Sequence, residues 1–430
     1  MVDYYFPPAG GAAVQRTLGL ASWLPVFGWD PIVLTSRDPE HVHRDASLHE
    51  RIPASVRVER TYSVEPVRFA KRVLEHHYLQ RDGIGWRAYR RPWYRSRQTF
   101  SRLAQLLFFP DRHVGWLPFA VARGLSMLRR RAFDAIYSTS TSVTSHLVAR
   151  VLKRLSGKFW IADFQDPWSE NEIIGLPVWP HRVLATRLEH LILRDADRVT
   201  VTTRPIGEMF QRKYPTIPGS KFVVVPMGFD PAGFEGLEAV LAAKFVVTHL
   251  GFFYGPRSPG PFLEAVGQCL RDGLLPRDMV EVRLLGGFDV EAEAVTKDLI
   301  ARYSMADIVR AEGVVAYIDG LRHLLASAVL LLVTDSSWGG RHLVPTKLYE
   351  YLAAGRPILA LAPDGPAAEL VAEMDAGIIV PPDDVAGIRR ALVRLYERWR
   401  EGAQMMATPR NLEKFTWQGI AGQLVRLLEG

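Results

Sequence analysis

A lysine occupies an unusual place in the segment VPTKLYEYLAAGRPILAL, residues 344–361. Pro345 is a favourable first residue for a helix, and Gly355 stands where a helix needs a left-handed residue at its end. Lys347 therefore lies in the first helical turn, where the helix dipole is already positive. Because free N–H groups at a helix start and a lysine charge together favour phosphate, this segment predicts an anion site.

Two further segments extend the predicted anion site. Glu350 follows Lys347 by three residues and shares its helix face, at a distance suited to a ribose hydroxyl. In HLGFFYGPR, residues 249–257, a strand ends in glycines, and Arg257 can bind a phosphate through two hydrogen bonds. With Gly251, which allows close backbone approach, these residues predict a site for a ribose diphosphate. A surface Lys–Glu pair and an ordinary turn with a solvated arginine are the alternative interpretations.

A glycine pair follows the first predicted strand in YYFPPAGGAAVQR, residues 4–16. Gly10 and Gly11 either admit a substrate at the carboxyl edge of that strand, the usual ligand side of a parallel sheet, or simply form the turn. The segment lacks the GxGxxG dinucleotide fingerprint, and no GxxxxGK[ST] phosphate loop occurs. A NAD enzyme or a P-loop NTPase is therefore not expected.

Two carboxylates follow another predicted strand in FWIADFQDPWSEN. Asp163 and Asp166 are expected at the ligand-facing edge of the sheet, where Trp168 could stack on a sugar and Asn171 could hydrogen-bond it. The carboxylates could also hold Mg²⁺ or form a turn at the proline, and we expect no metal site. His146 lies early in a predicted helix and is a candidate acid or base, although a lone histidine is more often structural.

The elements that must position these residues alternate between short apolar runs and amphipathic stretches of helical length. This alternation is typical of parallel sheets covered by helices on both faces, and it occurs twice. Strands of the first half are predicted near residues 4–6, 31–34, 135–138, 158–163 and 198–202. Strands of the second half are predicted near residues 222–225, 245–250, 281–285, 329–333, 357–361 and 377–380. The expected fold class is α/β, with two doubly wound domains.

Proline and glycine cluster between the two halves, in KYPTIPGSKFVVVPMGFD, as expected of a domain boundary. Placing the break near Pro215 predicts one domain over residues 1–214 and a second over residues 215–414. Residues 415–430 repeat apolar side chains at helical spacing and predict a final helix. That helix could pack on the second domain or cross back to the first.

The chain has 430 residues, of which 48% are hydrophobic and 23% charged, so disordered and collagen-like classes are excluded. Its formal net charge of +7 is unevenly spread. In the basic aromatic segment, residues 68–131, fifteen basic residues oppose three acidic ones, a local charge of +12 that leaves −5 elsewhere. Eleven aromatic residues lie in the same segment, so we expect an anionic partner.

The basic aromatic segment has three interpretations. Nucleic-acid binding is disfavoured because no RNP, zinc-finger or helix-turn-helix pattern accompanies the arginines. Membrane-surface binding is favoured, because Trp, Phe and Arg together suit the lipid headgroup level, and Phe100, Leu103 and Leu107 form an apolar stripe beside Arg97 and Arg102. The third interpretation is a solvated arginine face that covers core aromatic residues.

Cysteine content and hydropathy suggest a compartment. Cys269 is the single cysteine, which excludes an internal disulfide and CxxC metal sites and fits a reducing cytoplasm. No signal-peptide pattern occurs, and the longest apolar run, residues 324–333, is shorter than the roughly 18–20 residues that a spanning helix needs. We expect a cytoplasmic protein that is peripheral to the inner face of the membrane.

Six stretches, in their order and spacing, resemble bacterial family-4 glycosyltransferases with the GT-B fold across nearly the whole chain. They are YYFPPAGGAAVQR, FPDRHVGW, DFQDPWSEN, VPMGFD, HLGFFYGPR and PTKLYEYLAAGRPILAL. The resemblance implies two Rossmann-like domains facing across a cleft, with a nucleotide-sugar donor on the second and an acceptor at the first. It also implies that Arg257 and Lys347 contact the diphosphate and that Glu350 is the ribose-binding second glutamate of an E-x7-E element. His342 stands at the position of the first glutamate, and Phe262 at that of the lysine in the family's Arg-x4-Lys pair.

The resemblance implies a hexosyltransferase that moves a sugar from a nucleoside diphosphate to a lipid-linked or polysaccharide-precursor acceptor. Family members are typically retaining and need no metal cofactor. Asp163, Asp166 or His146 could orient the acceptor hydroxyl, and Gly10 and Gly11 would border the acceptor. Expected partners are the nucleotide sugar, the glycan acceptor and an anionic membrane, but not nucleic acid. A nucleotide-sugar epimerase of similar fold, or a non-catalytic membrane scaffold with a degenerate donor site, are the alternatives.

Overall fold

A computed structural model shows two compact units, each built on a parallel sheet. The first unit contains Met1–Met227 and Trp417–Gly430, and the second contains Gly228–Thr416. The structure describes residues 1–10, 12–39, 47–65, 108–140, 142–170, 178–238, 240–402 and 411–430. Within these ranges, no helix combines the length and apolarity needed to cross a bilayer.

The described strands of the first unit pair in parallel. They are β1 (Ile32–Ser36), β2 (Arg57–Thr61), β3 (Ala135–Thr139), β4 (Phe159–Phe164), β5 (Arg198–Val201) and β6 (Phe222–Val224). β1 pairs with β2, and β3 to β6 pair in chain order. The strand predicted near residues 4–6 is instead a bridge at Val2, which pairs with Leu34 in β1 and with Ser138 in β3. Val2 thereby connects the two groups of strands.

The domain boundary differs from the predicted one. The strand predicted at residues 222–225 belongs to the first unit, because Phe222 pairs with Val199 of β5. The carbonyls of Val225 and Pro226 then accept hydrogen bonds from Arg16, which holds this stretch on the first sheet. The chain therefore leaves the first unit after Met227 rather than near Pro215.

Helices separate most of these strands. Those described in residues 12–213 are α1 (Ala12–Trp23), α2 (Ser47–Glu50), α3 (Leu117–Arg130), α4 (Val143–Ser156), α5 (Trp179–Asp195) and α6 (Arg204–Lys213). On α4, Val148, Ala149 and Leu152 are buried at helical spacing. This apolar stripe faces the unit's core, as expected for a helix that covers a sheet.

In the described part of the second unit, the sheet has six parallel strands. They are β7 (Phe245–Leu250), β8 (Val280–Leu285), β9 (Val309–Glu312), β10 (Val329–Val333), β11 (Ile358–Leu361) and β12 (Gly377–Val380). Their order is β12-β11-β10-β7-β8-β9, so the direction of winding reverses between β7 and β10. β10 is buried at every position, as expected of a central strand covered on both faces.

The helices of the second unit alternate with its strands. They are α7 (Gly260–Arg271), α8 (Val290–Arg302), α9 (Tyr317–Leu325), α10 (Trp338–His342), α11 (Lys347–Ala354), α12 (Pro366–Glu373) and α13 (Val385–Arg400). Phe262 of α7, Ile388 of α13 and Leu331 of β10 belong to one buried cluster. Each fully buried side chain of this kind contributes about 1.5–3 kcal/mol to folding.

The final helix, α14 (Trp417–Glu429), returns to the first unit. Its Trp417 ring lies against α1 so closely that a Cβ on Gly19 would come within 2.2 Å of it. Ile420 and Leu424 on the same helix are also buried. Of the two placements that the periodicity leaves open, the structure has the helix on the first unit.

Candidate functional site

The candidate site begins where the winding of the second sheet reverses, between β7 and β10. Ligands of open α/β sheets bind at such a point, because the loops after the two strands diverge to opposite faces of the sheet. Gly251 follows the end of β7, and Asp335 lies two residues beyond the end of β10. The topology therefore places these two loops side by side.

Two glycines allow backbone segments to approach closely at this edge. Gly251 has a φ of 130° and Gly286, which follows β8, has a φ of 132°, a region that favours glycine. A Cβ on Gly286 would lie 2.2 Å from the carbonyl oxygen of Gly251. A Cβ on Gly251 would lie 2.5 Å from Nζ of Lys347. The bare Cα of Gly251 thus leaves the space that the lysine occupies.

The ammonium of Lys347, the first residue of α11, contacts the imidazole of His249 in β7. Nζ lies 3.1 Å from Nε2 of His249, and Nδ1 of His249 lies 2.9 Å from the carbonyl oxygen of Leu331. Because a carbonyl oxygen can only accept, Nδ1 carries a proton, and in the neutral ring Nε2 presents a lone pair. The ammonium therefore donates to a neutral imidazole.

Both groups of this pair have pKa values that disfavour positive charge. Burial, and then the charge of Arg257, lower the pKa of Lys347 to about 7, and Glu350 opposes this shift. Burial, followed by the charge of Lys347, holds the pKa of His249 well below its ordinary value. A desolvated cation beside a second cation is stabilised by a bound anion. The geometry thus favours a negatively charged ligand.

Arg257 is held in place by two side chains. Its Nε donates to Oδ2 of Asp335 at 2.8 Å, and its Nη1 donates to the hydroxyl of Tyr254 at 2.7 Å. Burial alone would raise the pKa of Asp335, but hydrogen bonds from Ser337 and Arg257 lower it, so the carboxylate stays charged. The Nη2 group lies beside Gly339, where a Cβ would be 3.3 Å away. Arg257 is therefore oriented before any ligand binds.

Glu350 lies one turn after Lys347 on α11, and its charge acts on the ammonium. The helix ends as predicted, since Gly355 has a φ of 65° and its N–H binds the carbonyl of Leu352. It begins at Lys347 rather than at Pro345, whose carbonyl accepts from the N–H of Leu348 at 2.9 Å in the preceding turn. The charges of Arg257 and Glu350 both act on Lys347, whose ammonium lies beside Gly251. The second sheet thus brings together the four residues predicted to bind a ribose diphosphate.

In the first unit, Asp163 forms a buried ion pair with Arg16. Arg16 donates Nε and Nη2 to its two oxygens at 2.8 and 2.6 Å, and Thr139 and Thr200 donate one hydrogen bond each. Burial alone would raise the pKa of Asp163, but the charge of Arg16 lowers it below its ordinary value. Both carboxylate oxygens are used, and the side chain has no exposed surface. This geometry favours a structural role over the expected contact with an acceptor hydroxyl.

His146 is likewise in the core of the first unit. Its Nδ1 lies 2.7 Å from the hydroxyl of Ser138, its ring stacks on Phe164, and its Nε2 has no partner among the described residues. Burial lowers the pKa of His146 to about 4, so it is neutral at physiological pH. A histidine without exposed surface cannot reach a substrate in this conformation. The structural interpretation of this lone histidine is thus the better supported one.

Two of the remaining candidates, Asp166 and Trp168, lie on the loop after β4 and differ in exposure. Asp166 is exposed, whereas Trp168 is buried beside Phe109 and does not offer an open ring face for a sugar. Glu189, buried on α5, accepts the N–H of Ser169 at 2.9 Å and the hydroxyl of Tyr214 at 2.7 Å. Asp166 therefore stands on a loop that a buried carboxylate anchors.

The other candidates in the first unit are described in part. Gly10 lies in the loop before α1, where the carbonyl of Pro7 accepts a hydrogen bond from Arg60 at 2.5 Å. Gly11 and Asn171 lie outside the described residues, as does most of the basic aromatic segment. The structure therefore leaves these predictions untested.

His342, at the position of the expected glutamate, lies at the end of α10. Its ring stacks on Trp338 with centroids 4.6 Å apart and an interplanar angle of 6°, and its Nδ1 lies 2.8 Å from the carbonyl of Trp338. A carbonyl accepts only, so Nδ1 donates, and this hydrogen bond fixes the orientation of the ring. This short helix thus presents a flat aromatic pair and not a carboxylate.

Sequence reasoning missed three residues that shape the site, namely His249, Tyr254 and Asp335. Asp335 comes just after the end of β10, and Asp163 was predicted to be functional because it lies at the end of another strand, β4. The same reasoning, that the carboxyl ends of parallel strands meet at one edge of a sheet, could have predicted Asp335. His249 and Tyr254 lie within a segment that the sequence singled out, but nothing local indicates that their partners are Lys347 and Arg257.

Comparisons with known proteins cover both units. Residues 11–228 match the family model described as a glycosyl transferase 4-like domain, and residues 244–398 match that of glycosyl transferases group 1. A search of curated protein sequences found no match.

Solved structures resemble the chain over its whole length. Anabaena HepE in complex with UDP and glucose is 16% identical, with 100% of each chain covered and a TM-score of 0.63. Sucrose-phosphate synthase from Thermosynechococcus elongatus is 18% identical, covering 99% of this chain and 95% of that one, with a TM-score of 0.61. Trehalose-phosphate synthase from Burkholderia xenovorans, in complex with glucose-6-phosphate, is 15% identical, with coverages of 99% and 98% and a TM-score of 0.62. At these identities the likeness concerns the fold.

Proposed function

This chain belongs to the glycosyl transferase 4-like family, and we propose that it moves a sugar from a nucleoside diphosphate to a lipid-linked or polysaccharide-precursor acceptor. The family match confirms the resemblance read from the sequence, and with the structural likeness it confirms a GT-B fold with two Rossmann-like domains. The chain is a glycosyltransferase, and its donor, acceptor and stereochemistry are the subject of the proposal.

One observation carries the donor proposal: Nζ of Lys347, at the start of α11, lies beside the bare Cα of Gly251 and 3.1 Å from Nε2 of His249, where the charge of Arg257 also acts on it. A diphosphate there would contact two cationic side chains, while the N–H groups of Leu348 and Tyr349 already bind the carbonyls of Pro345 and Thr346. When the sugar leaves, negative charge develops on the diphosphate, and oriented cations stabilise that charge without reorganising. The solved HepE structure, which contains UDP and glucose, supports a nucleoside diphosphate as the ligand.

Glu350 would bind the ribose of this donor. It lies one helical turn from Lys347, so a carboxylate and an ammonium would contact adjacent parts of one nucleotide. Because the two cations can neutralise the leaving diphosphate, we also propose that no metal ion takes part. Transfer that continues unchanged in excess EDTA would support this, and transfer that Mg²⁺ restores after EDTA would contradict it.

The acceptor and stereochemical proposals have different support. The +12 charge of the basic aromatic segment supports an acceptor at an anionic membrane surface on the cytoplasmic side. Within its described part, Arg123 already pairs with Glu59, so its charge is partly neutralised. We propose retention of configuration because members of the family that the sequence resembles typically retain it, and NMR of the product anomer tests this. For the acceptor hydroxyl, exposed Asp166 is now a better candidate than buried Asp163 or His146.

A two-step experiment tests the function. A thermal-shift screen of UDP-, GDP- and ADP-sugars should find one that raises the melting temperature, because a ligand stabilises the state that binds it. That sugar is then incubated with lipid-linked glycan acceptors from bacterial membranes, and transfer is followed by mass spectrometry. Interconversion of donor epimers without acceptor would favour the epimerase alternative. Failure of every nucleotide sugar to bind would favour the scaffold alternative.

Vesicle binding tests the membrane proposal separately. Replacing Arg90, Arg91, Arg95 and Arg97 by Gln should weaken binding to anionic vesicles, by about 1 kcal/mol for each charge near the surface. Binding should also weaken as salt increases, since exposed charges are screened. Neutral vesicles serve as the control. If vesicle binding changes neither with salt concentration nor with the four substitutions, the result would contradict an electrostatic membrane contact.

A further inference from the structure

His249 is buried at the carboxyl end of β7, with only 1% of its surface exposed. Its ring stacks on Phe253 with centroids 4.1 Å apart, and its Nδ1 binds the carbonyl of Leu331 at 2.9 Å. These two contacts fix both the plane and the tautomer of the imidazole. The Nε2 lone pair consequently has one orientation, and it points at Nζ of Lys347, 3.1 Å away.

The long side chain of Lys347 would otherwise have several rotamers available at the start of α11. A lysine loses up to about 2 kcal/mol of side-chain entropy when it is held in one conformation. The acceptor on His249 holds the ammonium over Gly251, whose missing Cβ leaves room for it. The charged groups that act on this ammonium are Arg257, which disfavours its charge, and Glu350, which favours it.

We propose that His249 is a positioning residue for donor binding: as a neutral hydrogen-bond acceptor, it holds the Lys347 ammonium where the diphosphate of a nucleotide sugar binds. The inference rests on the proposed donor site and adds a residue to it. His249 does not touch the ligand and acts through Lys347 alone. A protonated imidazole could not accept this hydrogen bond and would repel the ammonium. Burial of His249 keeps the imidazole neutral, and its tautomer places the lone pair on Nε2, so both allow it to accept from Lys347.

Two substitutions separate the acceptor from the rest of the side chain. His249→Asn keeps a donor near the position of Nδ1, towards Leu331, but removes the acceptor that faces Lys347. His249→Gln places an amide oxygen near the position of Nε2 and can restore that acceptor. Lys347→Met provides the background in which a residue acting only through the lysine has no further effect.

The measurement is calorimetric titration at pH 7, starting with UDP-glucose, GDP-mannose and ADP-glucose and extending to the other UDP-, GDP- and ADP-sugars of the thermal-shift screen, with whichever binds the unaltered protein. We expect His249→Asn to weaken binding about tenfold and His249→Gln to bind within about threefold of the unaltered protein. Lys347→Met and Lys347→Met/His249→Asn should bind equally. Should the Asn variant not fold, His249→Met fills a similar volume without a strong acceptor and carries the same expectations.

The outcomes distinguish this inference from the donor proposal. If the unaltered protein binds none of the UDP-, GDP- and ADP-sugars of the thermal-shift screen, the proposed function fails and the inference fails with it. If it binds one and His249→Asn binds equally well, His249 has no positioning role. If His249→Asn weakens binding to the same extent in the Lys347→Met background, His249 acts on the fold and not through the lysine. Either of these two results overturns the inference and leaves the donor site standing.

Discussion

Each unit of the molecule contains a charged side chain near the carboxyl edge of its sheet, and the surroundings of the two charges differ. Asp163 in the first unit accepts four hydrogen bonds, two of them from Arg16. Its pKa is lowered, so the protein favours the charged form. Lys347 in the second unit contacts a neutral imidazole and lies near Arg257, and its pKa falls to about 7. Here the protein disfavours the charged form.

The difference separates a structural charge from a functional one. A buried ion whose partners are complete has no further capacity for a ligand, and its removal costs stability. A desolvated cation with a like charge nearby is unfavourable until an anion arrives, and such perturbed groups are typical of functional sites. The sequence pointed to both residues for chemistry, and their surroundings separate them.

Removing the structural charge should have the largest effect. Asp163→Asn leaves the Arg16 guanidinium buried without its counter-ion, which costs about 3–5 kcal/mol of unfolding free energy. Urea unfolding followed by fluorescence measures this loss. Glu208→Gln, in the exposed pair with Arg204, is the control and should change stability by no more than about 0.5 kcal/mol. Equal effects of the two substitutions would show that Asp163 does not stabilise the fold.

Removing the functional charge should have the opposite effect on stability. Lys347→Met should weaken nucleotide-sugar binding by about 1.5–3 kcal/mol, the range for a hydrogen bond to a charged group. Because the desolvated ammonium is gone, the melting temperature without ligand should rise by roughly 2 °C, as about 1 kcal/mol produces in a domain of this size. Lys297→Met, in an exposed pair with Glu293, is the matched control and should leave affinity unchanged. Unchanged affinity in Lys347→Met would show that the Lys–Glu pair is structural.

The affinity of the unaltered protein should depend on pH. With the pKa of Lys347 at about 7, the ammonium is charged below pH 7 and increasingly neutral above it. Since the diphosphate favours the charged form, affinity should be highest below pH 7 and fall by up to about tenfold per pH unit above it, or 1.4 kcal/mol. Nucleotide sugars are suitable probes because their diphosphate is a diester of constant charge. An affinity that stays constant from pH 6 to 8.5 would contradict this assignment.

Gly251 and Gly255 lie in the loop after β7, and substitutions there should have the smallest effect on ligand binding. Gly251→Ala places a Cβ against Nζ of Lys347 at a φ of 130°, and should weaken binding about fivefold. Backbone strain of this kind costs about 1–3 kcal/mol of stability as well. Gly255→Ala, at a φ of 55° with open space around it, is strained without meeting the lysine. Similar affinities for the two variants would show that the space at Gly251 is not required for the ligand.

The sequence predicted the apolar strands well, because a buried strand such as β7 or β10 reads as a run of apolar residues between turn signals. It missed β2 and β9, whose sequences RVERT and VRAE mix charged and apolar residues as half-exposed strands do. It also placed β6 in the second half, because a local pattern does not show which sheet a strand joins. The end of α11 at Gly355 was predictable because glycine has a specific geometric role there.

The candidate site was predictable where a residue type itself implies a ligand. Lys347 at a helix start and Arg257 after a glycine turn carry that information locally. The contact between Lys347 and His249 joins residues 98 positions apart, and that between Arg16 and Asp163 joins residues 147 apart. Such pairs are brought together only by the packing of whole sheets. The sequence therefore suggested a catalytic role for Asp163, but it did not show that Arg16 binds both oxygens of its carboxylate.

The most direct test of the central claim is the number of protons taken up when the nucleotide sugar binds. Calorimetric titrations at pH 7.5, in buffers of different ionisation enthalpy, measure this number. If the diphosphate meets Lys347, the unaltered protein should take up between about half and one proton, because binding raises a pKa of about 7, and Lys347→Met should take up none. Binding without proton uptake in the unaltered protein would show that the diphosphate does not meet this lysine.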